Sequence, residues 1–164
     1  MNKKSKVIVW ISIFFGGLVS VALIIHFTLQ SWAGSPLEVD PAAAQEVKNI
    51  GKVKGEVVTQ FQESDVIVVT RNIILDGSDL GAVTALHGAS KLLQSKNWNV
   101  VARLHSGGLQ FESDRWENTL LTIEQVGSDY HFYDQSVEDA AKEARASMEH
   151  PDALLLVRLR RTDV

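Results

Sequence analysis

Five histidines, His26, His87, His105, His131 and His150, are the side chains in this sequence best suited to proton transfer or metal binding. No two of them are spaced three or four residues apart, so no helix face carries a metal-binding pair. His105 and His131 fall on separate predicted strands, and a zinc site between them would still need Asp134 or Glu112 as a third ligand; either histidine with a nearby Asp or Ser defines one alternative, an exported hydrolase. His105-Ser106-Gly107-Gly108 sets a hydroxyl beside a base, but neighbouring strand residues point to opposite faces, and no Gly-x-Ser-x-Gly elbow occurs. The loop Asp76-Gly77-Ser78-Asp79-Leu80-Gly81 precedes a helix, where anions often dock; its two aspartates repel an anion, and it lacks the lysine of a phosphate-binding loop.

A second chemistry is recognition. The segment Gly107–Asn118 (GGLQFESDRWEN) holds Phe111, Arg115 and Trp116, residue types that anchor protein interfaces, and these three are the expected partner-binding residues. Closure of one end of the sheet is the competing role for Phe111 and Trp116. Arg158, Arg160 and Arg161 gather at the end of the last predicted strand, as a solvated strand end or a contact for anionic lipid or an acidic partner. No catalytic residue, metal ligand or cofactor emerges from these patterns, and the expectation is a binding protein rather than an enzyme.

What must position these residues begins with a membrane segment. The 164-residue chain carries 16 basic and 20 acidic residues and no cysteine. Residues 7–29 contain no charge, whereas Lys3, Lys4 and Lys6 precede them; the remaining 13 basic and 20 acidic residues give residues 30–164 a formal charge of −7. An acidic domain disfavours nucleic acid as a partner, and the lack of thiols excludes a disulfide framework. The uncharged run, about 35 Å long as a helix, is long enough to span a bilayer. Trp10 and Trp32 mark its ends, and the lysines place the N-terminus in the cytoplasm by the positive-inside rule.

The expected organisation is a basic cytoplasmic stub (1–6), a transmembrane signal anchor (7–29), a linker with a juxtamembrane helix (30–51) and an exported domain (52–164). The anchor would lie in an inner (plasma) membrane, with the domain periplasmic or extracellular. A cleaved signal peptide is the competing reading, since Ser31 and Ala33 are small at the positions a peptidase requires.

The exported part reads as α+β. Asp40-Pro41 caps a short helix. Val53 to Phe61 is an edge strand, and Val66 to Leu75 (VIVVTRNIIL) is a strand covered on both faces. A helix follows from Ser78 or Asp79 to about Ser95, then strands at Asn99–His105, Thr119–Val126 and Tyr130–Asp134, the last two forming a hairpin over Gly127-Ser128-Asp129. A helix opening at Ser136 and a final strand over Ala153–Leu159 complete the order. A ferredoxin-like (split β-α-β) two-layer domain, with both helices on one sheet face, satisfies this pattern; a doubly wound α/β sheet is the alternative. The expected function is a single-pass membrane-anchored protein whose exported domain binds other proteins, as an accessory or structural component of a bacterial envelope assembly such as secretion, conjugation, pilus or division machinery. Its partners are then the membrane and other envelope proteins or further copies of itself. A small-ligand or lipid-binding sensor domain is the remaining alternative.

Overall fold

A computed structural model describes residues 36–81, 84–127 and 129–163. The predicted span at 7–29 lies outside them, and no described helix is long and apolar enough to cross a membrane.

Leu37 enters the fold as an isolated parallel bridge to Val68, donating to the Ile67 carbonyl at 2.8 Å and accepting from the Val69 amide at 3.0 Å. Helix α1 (Pro41–Lys48) starts where expected: Asp40 accepts from the Ala42 amide at 2.7 Å, and Pro41 occupies the first turn, where its missing N–H costs nothing. Strands β1 (Lys52–Glu63) and β2 (Val66–Asp76) form a hairpin whose turn holds Ser64 at φ 55°. A 3-10 turn (Ser78–Leu80) leads to α2 (Ala85–Ser95), capped by Thr84, which accepts from the His87 amide at 3.2 Å. Strands β3 (Trp98–Arg103), β4 (Leu109–Ser113) and β5 (Thr119–Gln125) run as a meander. Helix α3 (Gln135–Ala146), a 3-10 turn (Pro151–Ala153) and β6 (Leu154–Arg161) follow.

The six strands make one sheet in the order β1-β2-β6-β5-β4-β3, and every pairing between them is antiparallel. The class is α+β, and no doubly wound parallel sheet is present among the described residues. Strand β6 lies between β2 and β5, so the last strand in chain order joins the β1–β2 hairpin to the meander.

The two sheet faces are covered by different helices, unlike the expected layout with both on one side. Val47 of α1 and Ala89 and Leu93 of α2 pack with Ile73, Leu75, Phe111, Leu121, Ile123, Leu155, Val157 and Leu159 on one face. Val137, Ala141 and Ala144 of α3 pack with Ile74, Leu154 and Leu156 on the other. The physical reason lies in β2 and β6, whose inner residues are apolar at odd and even positions alike; a strand with two apolar faces requires cover on both. Two local expectations also change. Leu109–Ser113, read as part of a charged loop, is a strand that buries Leu109, Phe111 and Ser113 and turns Gln110 and Glu112 outward. Tyr130–Asp134, read as a strand, is a loop in which Tyr130 and Phe132 pack against the α3 side of the sheet.

Candidate functional site

Helix α3 covers only part of its sheet face. Beyond it the same face turns polar, and the register shows how. Asn72 of β2 stands beside Arg158 of β6, Arg158 beside Thr122 of β5, and Thr122 beside Gln110 of β4. One step further along the strands, Thr59 pairs with Thr70, and Arg160 stands beside Leu120. Side chains alternate across a strand, so these rows face the α3 side while neighbours such as Ile73, Phe111, Leu121, Val157 and Leu159 enter the closed core. The result is an open cleft of about 460 Å³, floored by these rows and walled by Phe61, Phe132, Tyr133 and Asp134.

A buried carboxylate organises one wall. Glu124, 4% exposed, accepts from the Ser106 hydroxyl at 2.6 Å and the Tyr130 hydroxyl at 2.7 Å, and it forms an ion pair with Arg158. Three partners satisfy a charge that would otherwise be costly to bury. Gly108 permits the contact with the β3–β4 turn, because a Cβ there would lie 2.5 Å from Glu124 Cγ and 2.8 Å from the Ile123 carbonyl. Burial, reinforced by the hydrogen bond to Glu124, holds the Tyr130 phenol well above its ordinary pKa, so it stays a protonated donor. Tyr130 stacks obliquely on Phe132, with centroids 4.7 Å apart, and the segment then turns Tyr133 out to 96% exposure.

Beside it, Asp134 caps α3, accepting from the Ser136 and Val137 amides at 2.8 and 3.3 Å. The Ser136 hydroxyl also donates to Asp134 and holds its carboxyl below the ordinary value. Arg160 is the less tightly held cation of the cleft: its side chain is 40% exposed, and Glu63 approaches to 3.8 Å, beyond good hydrogen-bond reach.

Of the residues singled out in the sequence, Arg158, Arg160 and Asp134 line this cleft, and the histidines and the expected partner-binding residues do not. Phe111 lies on the opposite face at 0% exposure, a core side chain that no partner can touch without unfolding the sheet. Trp116 packs against the same core, with its indole N–H buried and unpartnered among the described residues. Arg115 lies 4.6 Å above the Trp116 ring and reaches Glu46 at 3.4 Å, so the segment closes one end of the sheet. His105 follows the end of β3, and His131 lies in the loop before α3; both are exposed, neither lines the cleft, and neither ring hydrogen-bonds another described residue. Ser106 is oriented by Glu124 rather than by His105. Asp76 binds the Ser78 amide at 3.1 Å and faces Lys54 at 3.6 Å; although burial alone would raise its pKa, these partners lower it, as a turn residue requires. Among the described residues no group of three or more His, Asp or Glu side chains is arranged to hold a metal.

The cleft itself was missed. Its signals were the polar interruption Thr70-Arg71-Asn72 inside an otherwise apolar strand, and Arg158 and Arg160 alternating with Val157 and Leu159. Comparison with family models, characterised proteins and solved structures finds no match, and the functional reading therefore rests on this geometry.

Proposed function

We propose that this chain is a single-pass membrane-anchored protein whose folded domain binds another protein, as an accessory or structural component of a bacterial envelope assembly. The observation that carries the binding role is Tyr133, 96% exposed at the rim of an open polar and aromatic cleft. A tyrosine presents a large, rigid contact area at low conformational cost, and such residues anchor protein interfaces. Arg160, 40% exposed and only loosely approached by Glu63, selects a partner segment bearing a carboxylate, a local exception on a domain that is acidic overall. The anchoring role is supported by the uncharged run at 7–29 and its flanking lysines.

The test uses the full chain in its own membranes with a photo-crosslinking side chain in place of Tyr133. The expected result is a discrete adduct with another envelope protein that disappears when Arg160→Glu is added. An adduct pattern unaltered by Arg160→Glu would refute the cleft as the contact. A mature N-terminus at Gly34 would refute the uncleaved anchor.

A further inference from the structure

Among the described residues the sheet has two free edges, and they are not alike. Strand β3 is short, Trp98–Arg103, and its register with β4 shifts between Val100 and Ala102, which bends it away from further pairing. Strand β1 runs twelve residues. Its first part carries Lys52, Lys54 and Glu56 and a register shift between Val53 and Gly55, devices that discourage strand addition. From Val57 to Gln62 (VVTQFQ) there is no charge, glycine, proline or irregularity. Val58 and Phe61 in this stretch are 48% and 41% exposed. A straight, uncharged, β-branched and aromatic edge of this kind is a template for another strand.

We propose that the occupant is a second copy of this chain, whose β1 adds antiparallel to β1 across a two-fold axis at Thr59. An axis normal to the sheet keeps each face continuous, so only residues sharing a face can stand opposite one another. Centring on Thr59 sets it against the partner's Thr59 and sets Val57 against the partner's Phe61. Thr–Thr and aromatic–β-branched pairs are the favoured cross-strand neighbours. Glu56 then meets the partner's Gln62, and Glu63 meets the partner's Gly55, so no like charges oppose. Other registers are worse. An axis at Val58 wastes Phe61 against glycine, one at Gln60 sets Val57 against Glu63, and one at Phe61 sets Thr59 against Glu63.

The helices agree with this register. Helix α3 lies over the first half of β1: the Lys54 ammonium donates to the Ser147 carbonyl just past the helix at 3.5 Å, and Val57 packs into the α3 core. Antiparallel pairing therefore brings the helix-covered half of one β1 beside the bare half of the other. Because Thr59 and Phe61 also border the cleft, pairing would set the two clefts side by side. This inference goes beyond the heterologous contact proposed at Tyr133 and does not depend on it.

The sequence contains no cysteine, so one introduced thiol is unique. In full-length chain, mild oxidation of Thr59→Cys is expected to double the apparent mass on a non-reducing gel, reversibly with reductant. Val53→Cys and Val101→Cys, at 41% and 48% exposure, should remain single chains. A disulfide requires Cα atoms within about 7 Å. Val53 lies far from the axis, roughly 40 Å from its symmetry mate at the strand rise, and Val101 lies on the other edge. As a second measurement that spares Thr59, co-expressed Val57→Cys and Phe61→Cys chains should link to each other and neither should link alone. A folded Thr59→Cys chain that stays single overturns the proposal. So does a mixed pair that fails to link, or linking at Val53 or Val101 as fast as at Thr59.

Discussion

Strand β6 presents Leu155, Val157 and Leu159, all at 0% exposure, to the α1–α2 face, whereas on the α3 face it presents Leu154 and Leu156 and then Arg158 and Arg160. The same eight residues thus close one face completely and leave the other half open. The α1–α2 face is apolar from β2 through β4 and is sealed by Trp98, whose indole N–H donates to Glu46 at 2.8 Å. The α3 face changes from aliphatic packing to a hydrogen-bonded polar floor within two residues on each central strand. The difference teaches that a closed core and an open polar surface have been assigned to opposite sides of one sheet. The closed face holds the fold, and the half-open face is free to carry chemistry that a core would not tolerate.

The largest way to break this contrast is on the closed face. Phe111→Ala is expected to cost about 3–5 kcal/mol in unfolding free energy, measured by denaturant titration, because a fully buried ring leaves a cavity. Next, Glu124→Ala should cost about 1–3 kcal/mol, since it leaves Arg158, Tyr130 and Ser106 without their shared acceptor. The same variant should lower the phenol pKa of Tyr130, visible in an ultraviolet titration. Asp134→Ala removes the α3 cap and should lower the unfolding midpoint by less than Glu124→Ala does. Tyr133→Ala should change stability by less than about 0.5 kcal/mol, because the side chain is exposed, yet abolish partner capture. A stability loss at Tyr133 as large as that at Phe111 would erase the distinction between the faces.

Acid sharpens the comparison further. The carboxyl of Asp134 is held below its ordinary value of 3.8, chiefly by the Ser136 hydroxyl. A depressed carboxylate stabilises the fold fully above its unfolded pKa, and that contribution disappears as pH falls through the lower folded value. The α3 amides should therefore lose hydrogen-exchange protection below pH 3.8 before the amides of Leu121 and Ile123 on the closed sheet do.

Much of the fold was legible where local chemistry and tertiary packing agree. Asp40-Pro41 marked the start of α1, the run Val66 to Leu75 marked β2, and Pro151 marked the break before β6. Legibility failed where long-range packing decides. Leu109, Phe111 and Ser113 do alternate with Gln110 and Glu112, but charged residues after Ser113 concealed so short a strand. Tyr130, Phe132 and Tyr133 have strand-forming side chains, yet Tyr130 folds back to donate to Glu124 on β5, a hydrogen bond that alternation along the segment does not announce. The candidate site was less visible than the fold. Its floor comes from five strands with one or two polar residues each, unremarkable in their own segments, and only the register gathers them. Phe111 and Trp116 read as exposed aromatics in the sequence because composition does not disclose which face a residue occupies.

The place of β6 also sets a timetable. It follows every other described strand in the chain, and it is the strand through which the β1–β2 hairpin and the β3–β4–β5 meander meet. Asp76 must wait for Leu154, and Gln125 for Leu155, before either half-sheet gains its inner neighbour. During synthesis both half-sheets therefore emerge with an apolar edge and no mate. Closure of such distant contacts is slow, and the intermediate is exposed to wrong pairing. A newborn chain paused before Leu154 holds two half-sheets without their shared neighbour, whereas one extended past Arg161 has all six described strands to pair.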